Sequence, residues 1–447
     1  MSERVEVKPI SGFPEWLPNV RLQEERFLTT VREQYQLYGF TPIETPAVER
    51  WDVLTAKAEM QRQIYVVSKP EEGADDDADS RFGLHFDLTV PLARYVAMNA
   101  EKLIFPFRRY QIQKVWRGER AQRGRFREFY QCDVDIIGRG SLDAIHDAEI
   151  PCVINSTFEA LGLPDFQIQI SNRKVLGDLL RARNLGAEQL STVLRAVDKT
   201  DRAGLDATCK ALADEKIDAE LIPAIVDLIQ CRQVADARAV LARVGAPMQG
   251  IDELQSVIDS TIALGMPPKR IRPNFAIARG LDYYTGTIYE TFVVGSENWG
   301  SICSGGRYDD LASFFTTQKY PGVGISIGLT RLFNLLVTNG HVNVDRKGPT
   351  QVLVTMQDRK RFMKEYLELA RLLRSRGIPT EVYLEPKRLR EQFGYASDNG
   401  IPLTVIAGET EIAAGTVTVK DMQAGTQEVI GRDQLPAYVV QNRQSAK

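Results

Sequence analysis

Cations are concentrated in one stretch of this 447-residue chain, residues 102–127. Nine arginines and lysines stand there against a single acid, Glu119. The stretch has the pattern of a strand, a basic loop and a second strand. Arginines held in such a setting can grip phosphate oxygens through paired hydrogen bonds that lysine does not reproduce. Composition by itself favours a solvated basic hairpin, whereas the order of the residues, given below, favours a nucleotide site.

Cysteine and histidine offer little further chemistry. Five cysteines occur without any C-x-x-C pair, and three histidines are dispersed: Cys132, Cys152, Cys209, Cys231, Cys303, His85, His146 and His341. These spacings argue against a disulfide framework, a metal site or a nucleophile–histidine pair. We therefore expect no protein metal site and assign any proton chemistry to carboxylates, arginines or the substrate. The acidic segment 71–80 is predicted to be a solvated loop.

The composition is that of a globular protein with more than one domain. The hydrophobic share is 43%, the charged share is 26%, and no apolar run approaches the ~18 to 20 residues that span a bilayer. The net charge of -3 argues against a general nucleic-acid coat protein, although the chain after residue 346 is mildly basic. We expect a soluble, cytoplasmic protein without a membrane segment.

Hydrophobic periodicity predicts the elements that position these residues. A helix is expected after a cap at Asn19, with Phe27, Val31 and Tyr35 on one face and Gly39 at its end. Strand-like runs with hairpin-like spacing follow and predict a mostly antiparallel sheet. These runs cover residues 40–44, 82–88, 107–116, 126–137, 166–170, 288–294 and 322–327.

Two further regions have a different texture. Residues 171–267 are rich in alanine, leucine and charge without strand patterns, which predicts a helical insertion. Beyond the glycine-containing segment 340–348, strand runs at 351–356, 381–384, 403–407 and 416–420 surround a helix and predict a small α/β domain. That helix carries Phe362, Tyr366, Leu369, Ala370 and Leu373 at helical spacing and stops before Gly377.

The basic stretch resembles motif 2 of the class II aminoacyl-tRNA synthetases. Within FRRYQIQKVWRGERAQRGRFREFYQCDVDIIG, residues 107–138, Arg117 and Glu119 form its R-x-E element, and Arg125 and Phe129 follow. The resemblance implies that Arg117 binds the α-phosphate and the substrate carboxylate region, and that Arg125 binds the terminal phosphates. Phe129 would stack on adenine, and Glu119 belongs to the same ATP site.

Two other strings resemble the remaining class II motifs. GVGISIGLTRL, residues 322–332, is similar to motif 3, which places Arg331 on the other face of adenine. YGFTPIETPAVE, with Pro46, is similar to motif 1 and implies a homodimer. The resemblance also implies that ATP is used with Mg²⁺.

The amino acid is indicated by ARGLDYYTGTIYE, residues 278–290, and SGGRYDDL, residues 304–311. Both resemble the histidine signatures of the histidyl-tRNA synthetases. The family places Arg279 against the carboxylate and α-phosphate, so Arg279 and Arg117 are the implied catalytic residues. Three tyrosines are implied for the histidine pocket: Tyr283, Tyr284 and Tyr308. Each tyrosine alone is more simply a half-buried sheet aromatic, but five motifs occur in the family order.

Acceptors for the α-amino group of L-histidine are also implied. Asp87 and Thr89 in HFDLTVPLARY and Gln131 in FYQCDVD match family positions that hold this group, and Asp135 matches the acid that contacts imidazole. Bacterial relatives usually carry glutamate at that last position. The aspartate, with REFYQCDVDIIG and the loop RAQRGR, resembles the eukaryote-like branch of the family. This departure affects the expected recognition of the extra 5′ guanosine of the tRNA.

The resemblance covers nearly the whole chain and implies an α/β protein. An antiparallel class II synthetase sheet flanked by helices would form an α+β catalytic domain from residues 1–170 and 266–340. A helical insertion would occupy residues 171–265 and clamp the acceptor stem. Residues 347–447 resemble an anticodon-binding domain, so tRNA(His) is the expected RNA partner.

Two alternatives remain open in the sequence. Histidine-binding regulatory subunits of the phosphoribosyltransferase that starts histidine biosynthesis resemble this family, but only in its catalytic domain. A related class II synthetase for another amino acid is the second alternative. Three features favour a histidyl-tRNA synthetase over both: the C-terminal module, the RGLDYY and SGGRYDD strings, and the motif arginines Arg117, Arg125, Arg279 and Arg331. The expected activity is ATP-dependent formation of histidyl-adenylate and its transfer to the 3′ end of tRNA(His).

Overall fold

The computed structural model describes residues 6–56, 62–68, 81–120, 122, 124–198, 200, 204–277, 284–310 and 312–444. Its contacts divide the chain into two compact units. The first consists of Met1–Glu15 and Phe27–His341, and the second of Trp16–Arg26 and Val342–Lys447. No helix in the described part of the chain is long and apolar enough to cross a membrane. The acidic segment 71–80 lies outside the described residues.

An eight-stranded sheet forms the centre of the first unit. Its strands, in spatial order, are β1 (Thr41–Pro42), β5 (Phe107–Trp116), β6 (Glu128–Ile137), β11 (Gly322–Gly328), β10 (Cys303–Tyr308), β9 (Thr287–Val293), β7 (Phe166–Asn172) and β8 (Ile271–Pro273). The five inner pairings are antiparallel, and only the outer pairs β1–β5 and β7–β8 are parallel. The mostly antiparallel sheet predicted from the sequence is therefore confirmed.

Helices cover this sheet because their apolar side chains repeat at helical spacing. They are α1 (Pro18–Leu37), α3 (Thr89–Asn99), α4 (Ile145–Ala160) and α11 (Leu329–Thr338). In α1, Val31 and Tyr35 are fully buried, and the Tyr35 hydroxyl donates to the Cys132 carbonyl over 2.9 Å. The expected cap at Asn19 is wrong, because the helix already begins at Pro18. The Asn19 amide instead donates to the Val344 carbonyl.

A small three-stranded sheet lies earlier in the chain. It consists of β2 (Val48–Arg50), β4 (Phe82–Leu84) and β3 (Val66–Val67), with the short helix α2 (Trp51–Leu54) after β2. The sequence predicted a longer strand, to residue 88. The strand ends at Leu84, and Asp87 accepts a hydrogen bond from the Val90 amide where α3 begins.

Only α-helices occur between β7 and the 3₁₀ turn at Pro268–Arg270 in the described residues: α5 (Arg173–Arg181), α6 (Ala187–Val197), α7 (Leu205–Asp214), α8 (Ile222–Gln230), α9 (Val234–Arg243) and α10 (Gln249–Ala263). Gly250 lets α10 approach α5 closely, since a Cβ there would lie 2.4 Å from the Val175 amide nitrogen. The Gly250 amide donates to Asp178 over 2.7 Å. The predicted helical character of this region is confirmed.

The second unit contains a five-stranded sheet. Its spatial order is β13 (Thr380–Val382), β12 (Val352–Val354), β14 (Leu403–Ile406), β15 (Thr416–Asp421) and β16 (Gln427–Gly431). Its helices are α12 (Arg359–Arg374), α13 (Leu389–Asp398), α14 (Glu409–Ala414) and α15 (Leu435–Gln444). The face of α12 that carries Tyr366, Leu369 and Leu373 is buried against the sheet, as its spacing predicts. The α/β character of this module is confirmed.

Candidate active site

One face of β6 carries the polar residues of the candidate site. Side chains alternate along a strand, so Phe129, Gln131, Asp133 and Asp135 share a face, while Cys132 and its even-numbered neighbours pack on the other. In the register of the sheet, these odd positions face small residues of β11, with Asp133 opposite Ser326 and Asp135 opposite Gly324. The small partners leave room above this face for a ligand.

Asp135 is buried and has two side-chain partners. The Tyr308 hydroxyl donates to its Oδ1 over 2.8 Å, and Arg109 forms an ion pair with its Oδ2 over 2.5 Å. A Cβ at Gly324 would lie only 2.2 Å from Oδ1, so any larger residue there would displace the carboxylate. Burial raises the pKa of Asp135 to about 6, although Arg109 and Tyr308 favour its charged form.

Arg109 was not among the predicted site residues. It faces Asp135 across the β5–β6 pairing, its side chain is fully buried, and it donates to Gln111 over 3.2 Å. A buried guanidinium requires a carboxylate partner, and Asp135 supplies it. The basic stretch that the sequence marks as a phosphate site thus also supplies a cation to the interior of the sheet.

Asp133 was also missed. It lies between Gln131 and Asp135 on the same face and is buried. Burial raises its pKa to about 7, while Arg109 and a hydrogen bond with Ser326 oppose that rise. The alternation Q-x-D-x-D in QCDVD could have identified it, because a strand with period two brings all three side chains to one face.

Tyr308 lies on β10, which a buried ion pair fixes to α4. Arg307 Nη2 and Asp147 Oδ1 are 2.7 Å apart, and Arg307 also donates to the Leu142 and Asp143 carbonyls. Alternation then turns Tyr308 to the opposite face from Arg307, toward Asp135. Within the SGGRY string, the arginine therefore holds the strand against α4, and the tyrosine places its hydroxyl in the site.

Tyr284 packs beside the same strand. A Cβ at Gly306 would lie 2.8 Å from the Tyr284 ring, so the glycine is needed for the tyrosine to approach β10. The backbone carbonyl of Tyr284 accepts a hydrogen bond from Arg173 over 2.7 Å, and burial raises the pKa of the Tyr284 hydroxyl. Arg279 and Tyr283, which the sequence places in the same signature, lie outside the described residues.

Two of the three residues expected at the α-amino group lie at the start of α3. Thr89 is its first residue, and the buried Asp87 precedes it, with Oδ1 accepting from the Val90 amide over 3.1 Å. The charge of Asp87 acts on both Asp133 and Asp135, raising the pKa of each. The structure therefore places three carboxylates near one another around the same space.

A pocket next to these carboxylates gathers all five predicted ATP residues. Its volume is about 600 Å³ including the part open to solvent, and its lining includes Arg117, Glu119, Arg125, Phe129 and Arg331. Gln131, Ser304 and Ser326 line it as well. Cations, an aromatic face and hydroxyl groups are together suited to a nucleotide phosphate chain and a planar base.

Arg117 is held at one side of this pocket. Its Nε donates to the Phe86 carbonyl over 2.9 Å, and its guanidinium lies 5.2 Å from the centre of the Phe129 ring. Among the described residues, no partner holds the remaining donors of the fork, which can therefore bind an anion. A planar cation held by a carbonyl and an aromatic ring is preorganised for a phosphate or carboxylate oxygen.

Arg331 holds two loops that border the pocket. Its Nε donates to the Gly124 carbonyl over 2.9 Å and its Nη1 donates to the Ser301 carbonyl over 2.8 Å. Because Gly124 lies in the basic loop, Arg331 fixes that loop as well as lining the pocket. Arg125, from the same loop, contacts Glu119 at 3.4 Å.

The described residues contain no group of three or more His, Cys, Asp or Glu side chains suited to a metal ion. Mg²⁺ in nucleotide sites is usually held by one or two carboxylates together with phosphates and water, so a cage of protein ligands is not required. Glu119 is the acid that lines the pocket. Its contact with Arg125 is long, so the residues present fit a magnesium ion that arrives with the nucleotide.

Family comparisons agree with this geometry. The family model "Histidyl-tRNA synthetase" matches residues 12–332, and the model "Anticodon binding domain" matches residues 351–442. The chain is 44% identical to the histidine–tRNA ligase of Xanthomonas oryzae pv. oryzae (strain PXO99A), over 98% of both chains. It is 46% identical to that of Stenotrophomonas maltophilia (strain K279a), over 95% of both.

A solved structure gives the same result. The histidyl-tRNA synthetase of Nostoc sp. PCC 7120 superposes with a TM-score of 0.89 at 39% identity, covering 98% of this chain and 100% of that one. These relatives are bacterial, so the expected placement nearer the eukaryote-like branch is not supported, even though aspartate stands at position 135. Short strings such as REFYQCDVDIIG and RAQRGR, with the aspartate, are a weaker guide than identity over the whole length. The chain therefore belongs to the histidyl-tRNA synthetase family of class II aminoacyl-tRNA synthetases.

Proposed function

We propose that this chain activates L-histidine with ATP and transfers the histidyl group to the 3′ end of tRNA(His). The observation that carries the proposal is the junction of two sites on one sheet face. Asp135 is a buried carboxylate that contacts Tyr308 and Arg109. It lies on β6, and earlier residues of the same strand line the pocket that also contains Arg117 and Arg331. This arrangement supports an imidazole acceptor next to a phosphate site.

ATP occupies the pocket with its phosphates at the arginines. Arg117 binds the α-phosphate and the carboxylate of histidine, and Arg125 binds the terminal phosphates. Phe129 and Arg331 cover the two faces of adenine. All four line the same pocket, together with Glu119, which supports these roles. Mg²⁺ bound to the phosphates would be held in part by Glu119 and would neutralise charge on the departing pyrophosphate.

Histidine is held at both of its ends. Asp135 accepts the N–H of the imidazole, and the Tyr308 hydroxyl fixes the carboxylate that does so. Tyr283 and Tyr284 complete the imidazole pocket. Asp87, Thr89 and Gln131 hold the α-amino group, which is a cation and needs acceptors.

The first step is an in-line displacement. A carboxylate oxygen of histidine attacks the α-phosphorus, the bond to the bridging oxygen breaks, and pyrophosphate leaves. Arg117 and Arg279 stabilise the charge that develops on the α-phosphate, so positioning and electrostatics carry the step without a covalent enzyme intermediate. In the second step, the terminal 2′ or 3′ hydroxyl of the tRNA attacks the carbonyl carbon, and AMP leaves.

The other parts of the chain bind the tRNA and a second subunit. Residues 1–170 and 266–340 form the catalytic domain, and the helices of 171–265 clamp the acceptor stem. Residues 347–447 bind the anticodon region. Motif 1 around Pro46 forms a homodimer. The matches of two separate family models, on either side of residues 333–350, support the division between catalysis and anticodon binding.

Aminoacylation of a defined tRNA tests the proposal. Labelled histidine should be transferred to a tRNA(His) transcript in the presence of ATP and Mg²⁺, while a matched transcript for another amino acid stays uncharged. A folded protein that binds histidine but charges no tRNA would contradict the proposal. That result would favour the histidine-binding regulatory subunit instead, although the C-terminal anticodon module argues against it.

A further inference from the structure

Asp133 occupies a central position on the polar face of β6. Its neighbours on that face are Gln131 toward the ATP pocket and Asp135 toward Tyr308, each roughly 7 Å away along the strand. Its side chain is only 2% exposed. No role proposed above uses this carboxylate, although it lies between the residues assigned to the two ends of histidine.

Two acceptor atoms on this face lack donors in the part of the chain that the structure describes. Among the described residues, neither Asp133 Oδ1 nor Gln131 Oε1 has a hydrogen-bond partner, although both are buried. The Gln131 amide is oriented by Ser326, to whose hydroxyl its Nε2 donates over 2.6 Å, so Oε1 is the atom left over. Buried acceptors are rarely left unsatisfied without a functional reason.

Among the described residues, the charges around this space are unbalanced as well. Asp87, Asp133 and Asp135 lie within electrostatic reach of one another, and Arg109 forms its ion pair with Asp135. The pKa of Asp133 rises to about 7 because burial disfavours its charge. A ligand group that carries positive charge and several N–H donors would satisfy both the charge and the free acceptors.

We propose that Asp133 is a further substrate-binding residue, whose carboxylate accepts an N–H of the α-ammonium group of histidine beside Gln131 Oε1. The inference deepens the proposed function and rests on it. An ammonium has three donors, which matches acceptors on Gln131, Asp133 and Asp87. Water would supply donors without charge, and the imidazole has its acceptor at Asp135.

Ligand analogues separate this contact from one with the ring. Calorimetric affinities should be measured for L-histidine, for L-histidinol, which keeps ammonium and imidazole, and for imidazolepropionate, which lacks the ammonium. Asp133→Asn should weaken histidine and histidinol at least tenfold, about 1.4 kcal/mol, and leave imidazolepropionate within twofold. Asp135→Asn, as the matched control on the same strand, should weaken all three.

Two further comparisons make the outcomes decisive. Ser326→Ala removes the hydroxyl between the two acceptors but keeps both, so its effect on histidine should be smaller than that of Asp133→Asn. Each variant must keep the wild-type circular dichroism spectrum, and the two aspartate variants must also keep the wild-type ATP affinity, whereas Ser326 lines the ATP pocket. If the binding of imidazolepropionate is too weak to measure, the histidine affinity of Asp133→Asn decides whether the inference holds, provided that the ATP affinity of this variant is unchanged.

The inference and the proposed function fail in different ways. A wild-type protein without histidine-dependent ATP–pyrophosphate exchange would refute the proposed function. An active wild type, with Asp133→Asn binding histidine within twofold, would overturn the inference alone. Equal weakening of histidine and imidazolepropionate would also overturn it, because Asp133 would then act on the ring or on the strand.

Discussion

Tyr308 donates its hydroxyl to Asp135 Oδ1 over 2.8 Å, although 173 residues separate the two in the chain. The two strands that carry them are not neighbours, because β11 lies between β6 and β10. Glycines of β11 make the contact possible. A Cβ at Gly322 would meet the Tyr308 ring at 2.5 Å, and one at Gly324 would meet Asp135 at 2.2 Å. The two side chains therefore meet across β11 at positions where that strand has only glycine.

Asp135→Asn should reduce histidine affinity at least tenfold, about 1.4 kcal/mol. The amide can turn a donor toward the imidazole N–H and leaves the Arg109 guanidinium without its carboxylate. ATP affinity should change little, because Asp135 lies outside the residues that line the ATP pocket. Isothermal titration with each ligand separately checks both statements. Histidine affinity within twofold of wild type would place Asp135 outside the pocket.

Arg331→Ala should raise the KM for ATP more than the KM for histidine. The substitution removes a cationic face for adenine and the two hydrogen bonds to Gly124 and Ser301, so the basic loop loses its anchor. Loss of a cation from the face of an aromatic ring typically costs ~0.5 to 2 kcal/mol, which corresponds to a rise in the KM for ATP of roughly twofold to 30-fold. ATP–pyrophosphate exchange at varied ATP and histidine measures the effect. Arg331→Lys keeps the charge without the planar fork and should rescue only part of it. An unchanged KM for ATP would be incompatible with the assigned role.

Asp133→Asn should stabilise the ligand-free protein at pH 8. The folded pKa of Asp133, about 7, lies above the ~3.9 of an unfolded aspartate. The native state therefore binds more protons between these values, and wild-type stability falls as pH rises from about 4 to about 7. Asparagine does not ionise, so the variant escapes this loss. The stabilisation should reach on the order of 1 kcal/mol or more, since one pKa unit is ~1.4 kcal/mol.

Urea unfolding at pH 5 and pH 8 without ligands measures this difference. The free-energy advantage of the variant should be larger at pH 8 than at pH 5. Saturating histidine should reduce the advantage, because the ammonium would stabilise only the wild-type carboxylate. An advantage independent of pH would show that the Asp133 carboxyl is not held in a charge-disfavouring environment.

A chain that ends at His341 should still form histidyl-adenylate but charge tRNA poorly. Every residue assigned to ATP or histidine lies in the first unit, whereas the second unit carries the matched anticodon module. Loss of that module removes a second RNA contact that raises the effective concentration of the acceptor end. It should also flatten the salt dependence of tRNA binding. Pyrophosphate exchange and aminoacylation should be measured on the same preparation.

The truncation needs one structural control. Trp16–Arg26 belongs to the second unit, and Asn19 loses its hydrogen bond to Val344 when that unit is removed. Thermal melting and light scattering must therefore show a folded protein in the wild-type oligomeric state. With that established, full aminoacylation by the truncated chain, or parallel loss of both activities, would speak against the module as the RNA-binding part.

The two long strands of the site could be predicted from the sequence because each contains a strand-like run of about ten residues. β5 matches its predicted range, Phe107–Trp116, and β6 starts two residues after the predicted start. β10 was not predicted as a strand. Its two glycines lower strand propensity, but a Cβ at Gly305 would lie 2.1 Å from the Gly324 carbonyl, so close strand packing requires them. Local propensity does not contain that tertiary requirement.

The candidate site was only partly predictable, for a similar reason. The motifs name Asp135 and Tyr308 but not Arg109, whose partner is fixed by the strand register rather than by spacing in the chain. In a basic stretch, Arg109 resembles another phosphate-binding cation. Burial separates it from Arg117, and burial follows from the packing of the whole sheet. Asp133 was within reach of the period-two pattern, since it shares a face with Asp135.

ATP–pyrophosphate exchange with each standard amino acid in turn tests the central claim most directly. The claim is that Asp135, Tyr308 and the arginine-lined pocket form one site that activates histidine. Exchange should occur with histidine alone and should fall strongly in Asp135→Asn at a fixed, low histidine concentration. Exchange with another amino acid but not with histidine, or no exchange by the folded protein, would contradict the account.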